Sequence, residues 1–209
     1  SNRTAAEIDE ISKYYSKKIG IANRIDYILA HCADKKVLHF GFTDYPYTKE
    51  KISSSDLLHL QLKEVAAELW GADNNKASIY EYVRLTGDAN VLECDIMNIK
   101  SSHVNKDFDI VLLGEIIEHL KNPHQAIEAL YDAISGNTLL LVTTPNYISL
   151  QNFAAGLHQM EMIHPDHYWY FSPVTLLKLF PVEKFELIDL NFGMHFQKGK
   201  ELNYVLKQF

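Results

Sequence analysis

The 209-residue sequence predicts an α/β protein built on a mostly parallel, seven-stranded sheet with helices on both faces. Three observations predict it. Short apolar runs of strand length alternate with segments of helical periodicity through the middle of the chain. The run Asn137 to Thr143 is nearly all apolar, which suits a strand buried on both sides. The last segments, Phe185 to Phe192 and Leu202 to Phe209, alternate like strands, and the short link Gly193 to Glu201 predicts an antiparallel hairpin.

The elements follow in order. Residues 4–32 have helical spacing, with Ile8, Ile11, Tyr14 and Tyr15 on one face and Ile25, Ile28 and Leu29 on another. Thr4 with Glu7 forms a capping box, and Gly20 separates two helices. Residues 1–34 are therefore expected to form a helical cap before a single structural unit of 35–209. Val37 to Phe40 is a strand ending at Gly41. Asp44 to Pro46 is loop, Ser53 to Asp56 a break, and Leu57 to Leu62 a short helix. Glu68 to Asp73 is the second strand, Lys76 to Leu85 a helix, Asn90 to Asp95 the third strand and Asp109 to Leu113 the fourth. His124 to Ile134 is amphipathic, with Ala126, Ile127 and Leu130 inward, and Thr175 to Phe180 is helical.

Composition narrows the function. A formal net charge of −7 disfavours broad binding to nucleic acid, which needs a basic surface. Cys32 and Cys94 are far apart and lack metal-site spacing, as in a reduced cytoplasmic chain. No apolar run approaches the roughly 18 residues that span a bilayer, and no secretory leader pattern opens the chain.

The strand ends carry the chemistry. The first strand ends in His39 and Gly41, the second in Asp73, the third in Asp95, and the fourth runs into Gly114, Glu115, Glu118 and His119. Core strands have no reason to stop in ionisable residues each time, whereas a ligand lying across the carboxyl ends of a parallel sheet needs them. An acid after the second strand is placed to accept two ribose hydroxyls, and one after the third to receive an adenine amino group. Gly41 lets the backbone approach such a ligand closely.

These residues resemble the class I S-adenosylmethionine-dependent methyltransferases over roughly residues 35–190. VLHFGFTDYP at 37–46 is similar to the family's first glycine-rich loop, ELWGADNN at 68–75 to its ribose-acid strand, and NVLECDIMNI at 90–99 to its adenine-side acid. FDIVLLGEIIEHLKNP at 108–123 with LLLVTTPN at 139–146 is the closest match. HPDHYWYFSP at 164–173 is similar to a late loop in a branch that often acts in glycan or small-molecule biosynthesis. One departure stands out: the usual Asp-x-Gly-x-Gly is here His39-x-Gly41-x-Thr43, with Asp44 the nearest acid to take the electrostatic role.

The resemblance implies a Rossmann-like fold, S-adenosylmethionine as cofactor, and methyl transfer to an oxygen or nitrogen of a small molecule or sugar precursor. It implies His39, Gly41, Asp73, Asp95 and Glu115 as cofactor-binding residues. Glu118, Tyr168 and Tyr170 are the expected substrate contacts. An imidazole titrates near operating pH, so His119, His164 and His167 are the candidate general bases. No metal is required on this reading. Two alternatives stand beside it. Glu115-x-x-Glu118-His119 with a later histidine is similar to the metal-binding set of small-RNA 3′-terminal 2′-O-methyltransferases. The altered first loop also fits a non-catalytic relative that serves as a binding subunit.

Overall fold

A computed structural model describes residues 18–102, 107–195 and 205–208, with Ala5, Asp9 and Ser12 as isolated helical positions. In chain order the strands are β1 (Gly20–Asn23), β2 (Lys36–Phe40), β3 (Glu68–Asp73), β4 (Val91–Glu93), β5 (Ile110–Gly114), β6 (Leu139–Pro145), β7 (Asn191–His195) and β8 (Val205–Gln208). The helices are α1 (Arg24–Cys32), α2 (Thr48–Ser53), α3 (Leu58–Lys63), α4 (Lys76–Thr86), α5 (Pro123–Tyr131), α6 (Leu150–Leu157) and α7 (Pro173–Leu177). Short 3₁₀ turns occupy Ile96–Ser102 and Ile117–His119.

The chain divides into two compact units. The first comprises Ile25–Ile116 and Glu128–Val142; the second comprises Ser1–Arg24, Ile117–Ile127 and Thr143–Phe209. In the first, β2 pairs in parallel with β3 on one side and β5 on the other, and β3 pairs in parallel with β4. Four of the five residues of β2 are buried, and so are Ile110 to Leu113 of β5, as expected of strands covered on both faces. Phe42, Leu57, Ile79 and Tyr82 close a hydrophobic cluster beside them. The α4 helix starts where the Asn75 side chain accepts the Ser78 amide, and stops at Gly87, whose φ of 72° supplies the left-handed cap.

In the second unit β1 runs parallel to β7, and β8 is antiparallel both to β7 and to Thr144 and Pro145 at the end of β6. Ser149 caps α6, and Ser172 with Thr175 forms a capping box that opens α7 with Pro173 inside it.

The Rossmann-like, mostly parallel architecture and the antiparallel terminal pairing match the sequence expectation. The details shift. Among the described residues there are eight strands rather than seven, because Gly20–Asn23 is a strand and not a break between helices. A Cβ on Gly20 would lie 2.1 Å from Asn191 Oδ1, so a larger residue here would have to displace the Asn191 side chain, and tertiary pairing overrides a weak helical pattern. The first strand of the terminal pair is Asn191–His195, later than the expected Phe185 to Phe192. Residues 44–63 hold two short helices instead of one, and α6 was not foreseen. The Thr4–Glu7 capping box, with Ile8, Ile11, Tyr14 and Tyr15, lies outside the described residues, as does most of the first half of the expected cap at 1–34.

Candidate active site

Four parallel strands of the first unit end at one sheet edge. The register sets Phe40 beside both Ala72 and Leu113, and Asp73 beside Glu93, so Gly41, Asp73, the turn after Glu93 and the Gly114–Glu115 step all lie along that edge. Asp73 is half-buried, and both carboxylate oxygens are engaged: the Asn75 amide donates to Oδ1 at 2.9 Å and Thr43 Oγ1 donates to Oδ2 at 2.7 Å. A carboxylate offers about four acceptor positions, so capacity remains on each oxygen for a ligand diol.

Glu115 follows β5 with φ 58°, a left-handed conformation that a glutamate rarely adopts. Such strain persists where the surrounding structure dictates it, and it sets the direction of this side chain at the strand end. Asp95 is exposed; its oxygens accept from the Met97 amide at 2.9 Å and from Asn98 Nδ2 at 3.3 Å, so it caps the 3₁₀ turn after β4.

The His39 ring is buried at the end of β2, with its Nδ1 3.2 Å from Nδ1 of His59, and the two rings stack. Burial lowers the His59 pKa to about 3; the Asp88 charge opposes this and that of Lys63 adds to it. His59 is thus neutral, and one ring donates to the other. At Gly41 a Cβ would meet Ile116 Cδ1 at 2.1 Å, so the missing side chain makes room for Ile116, and its φ of 67° suits glycine. Asp44 is ion-paired with Lys51.

The second unit gathers the imidazoles. His119 and His167 have ring centroids 4.5 Å apart at 88°, His164 and His167 are 5.0 Å apart, and His119 and His164 are 6.2 Å apart. The backbone ties these segments together: the Tyr168 amide donates to the Glu118 carbonyl at 2.8 Å, and the Trp169 indole to the Leu120 carbonyl at 2.8 Å. Glu118 is fully buried and its Oε2 accepts from Thr144 Oγ1 at 3.0 Å. Ligand atoms of Glu118, His119 and His167 all lie within 4.8 Å of one another. Tyr168 is exposed, whereas the Tyr170 hydroxyl donates to the Met162 carbonyl and its ring tilts against Tyr147. Burial, then the Glu161 charge and Tyr147, push the Tyr170 pKa up, so it acts as a donor.

Sequence reasoning missed Thr43, His59, Ser78 and Thr144. Thr43 registered only as a replaced glycine, and nothing in the local pattern marks the other three.

Residues 50–190 match the family model for the methyltransferase domain. The chain belongs to this family of methyltransferases. It is a class I enzyme that uses S-adenosylmethionine. Solved structures share its fold. A SAM-dependent methyltransferase of Thermotoga maritima, described as a possible histamine N-methyltransferase, is 16% identical with a TM-score of 0.61; the match covers 98% of this chain and 90% of that one. A SAM-dependent methyltransferase of Archaeoglobus fulgidus is 19% identical, with a TM-score of 0.55 and coverage of 85% and 75%. The small RNA methyltransferase HEN1 is 16% identical with a TM-score of 0.56, over 88% of this chain and 24% of that one. No curated protein sequence matches significantly. The methyltransferase has no described helix long and apolar enough to cross a membrane. Its sheet edge fits the cofactor: Asp73 keeps acceptor capacity on both oxygens.

Proposed function

We propose that this methyltransferase methylates an oxygen or nitrogen of a small molecule, a sugar or glycan precursor among them, in the cytoplasm. The observation that carries the reading is the imidazole cluster of His119, His164 and His167 beside the exposed Tyr168. No lysine or arginine occurs between Lys121 and Lys178, so this face suits a neutral ring stacked on aromatics better than a polyanion. The buried free cysteines suit a reducing compartment.

When bound, S-adenosylmethionine supplies an electrophilic methyl group on a sulfonium. Asp73 accepts the ribose hydroxyls, with Gly41, Asp95, Glu115 and the His39 segment completing the cofactor edge. His119, the most direct base candidate, takes the proton of an acceptor hydroxyl or ammonium, and Glu118 and the loop at 164–170 hold it in place. Tyr168 and Tyr170 orient the acceptor ring. Alignment of donor and acceptor supplies most of the rate. The test is release of S-adenosylhomocysteine across a panel of small hydroxyl- and amine-bearing acceptors. With an accepted substrate, H119A is expected to lower kcat about 100-fold with cofactor affinity unchanged. Full activity in H119A, H164A and H167A would remove the imidazole role.

One observation favours a second reading, metal-assisted 2′-O-methylation of an RNA end. Glu118, His119 and His167 form a donor set of one carboxylate and two imidazoles, a composition that suits a divalent transition metal. The fold likeness to the small RNA methyltransferase is consistent with it. These three residues would hold the ion, which would act as a Lewis acid on ribose oxygens. Calorimetric titration with Mn²⁺ and Zn²⁺, and activity before and after chelation, separates the readings. Activity that survives chelation supports the first.

A further inference from the structure

Thr43 stands two residues after Gly41, where the resembled loop carries its second glycine. A threonine turned outward here would stand in the way of a bound nucleoside. It is instead 0% exposed, with its hydroxyl directed at Asp73 Oδ2, 2.7 Å away. An ionised carboxylate has no proton to give, so Thr43 is the donor. Ser78, itself buried, lies 2.9 Å from Thr43 Oγ1. The Thr43 proton is already committed to Asp73, so Ser78 donates in that contact; the Asn75 carbonyl, also 2.9 Å from Ser78 Oγ, competes for the same proton. The other oxygen of Asp73 takes the Asn75 amide at 2.9 Å.

The carboxylate is therefore pinned at both oxygens by two different segments, the loop after β2 and the turn before α4. The terminal torsion of an aspartate is otherwise broad. A cis-diol presents two hydroxyls at a fixed spacing and needs both oxygens held in one plane. We propose that Thr43 is a positioning residue that fixes the Asp73 carboxylate for two-point recognition of the cofactor ribose, so the lost glycine is replaced by a clamp on the ribose acid. The proposal rests on the reading of Asp73 as the ribose ligand. It accounts for a non-glycine residue in the loop, because the side chain is spent inward and leaves the ligand side of the loop clear.

The test is calorimetric titration of wild type, T43V and T43S with two probes, S-adenosylhomocysteine and its 2′,3′-dideoxy counterpart. Wild type is expected to prefer the hydroxylated probe by about tenfold or more, as for hydrogen bonds to a charged group. T43V, nearly equal in volume, is expected to reduce that preference to roughly threefold or less while leaving the dideoxy affinity nearly unchanged. T43S is expected to restore it. Equal weakening of both probes in T43V would make Thr43 a packing residue and overturn the proposal. So would an undiminished preference. A wild-type preference near one would instead remove Asp73 from the ribose, and the proposal with it. If T43V shows no cooperative thermal transition, T43A is read by the same ratio and the same outcomes.

Discussion

Among single residues, Glu115 separates what stability wants from what function wants. Its φ of 58° is a glycine conformation held by a glutamate at the end of a buried strand. Glycine would relieve strain worth about 1–3 kcal/mol and return part of the gain through a more flexible unfolded chain, at about 0.4–1 kcal/mol. E115G is therefore expected to be as stable as wild type or about 1 kcal/mol more stable, measured by denaturant midpoint. Its affinity for S-adenosylhomocysteine is expected to fall about tenfold, as for a lost charged hydrogen bond. A variant that binds as wild type would show that the strain serves packing alone. Cys32 lies at the opposite pole: burial pushes its thiol pKa up to about 12, so the thiolate is nearly absent at neutral pH. Native protein at pH 8 is expected to leave Cys32 unmodified by iodoacetamide over hours, and unfolded protein to react. Fast native labelling at Cys32, read by peptide mass, would contradict that burial.

At the scale of elements, β3 is held to its neighbours by a close approach. A Cβ on Gly71 would sit 2.5 Å from the Phe42 ring, which also packs edge-on against Tyr82. The ring is enclosed and has nowhere to retreat, so G71A is expected to cost about 1–3 kcal/mol, read as a lower thermal midpoint. An unchanged midpoint would mean that the β3 backbone yields freely. Elements of this kind were partly legible in the sequence. Parallel strands buried on both faces read as apolar runs that stop in polar residues, which made β2, β3, β5 and β6 and their carboxyl ends visible. Four residues such as Gly20–Asn23 carry no period, so β1 was not seen. In α6 only Ala155 is buried, while Leu150, Phe153 and Leu157 face out, so no core-directed pattern announced a helix. The placement of the candidate site residues was legible wherever they sit at a strand end. Their supports were not, because they join distant positions: Thr43 meets Asp73 across 30 residues and His39 meets His59 across 20. A single sequence carries no trace of such pairs.

For the molecule as a whole, the buried histidine sets the acid limit of stability. His59 is fully buried, against His39 from β2, Phe42 from the following loop and Tyr82 from α4, with Asp88 and Lys63 as the charges acting on it. Its folded pKa near 3 lies below the ordinary 6.5, so the unfolded chain takes up a proton first as the pH falls. Above pH 6.5 neither state is protonated there and the group imposes no penalty. Between 6.5 and 3 stability falls with decreasing pH, by up to about 1.4 kcal/mol per unit. Burial works against the charge of Asp88, yet the Lys63 ammonium, the Asn90 amide and the Tyr82 hydroxyl hold its pKa below 3.8, so its own contribution is lost only at still lower pH. Carboxylates ordinarily titrate below about pH 5, which leaves pH 6.5 to 5 as the window in which the histidine is read most cleanly. H59L, close in volume and without the ring nitrogens, is expected to flatten the stability profile there by about one proton equivalent, measured by denaturant midpoints at half-unit steps. The His59 ring resonance of the native protein is expected to stay at its neutral position down to pH 4. A ring that titrates near 6.5 would show that the His39–His59 pair opens to water in the folded enzyme, and the acid limit would then have to be sought in other groups.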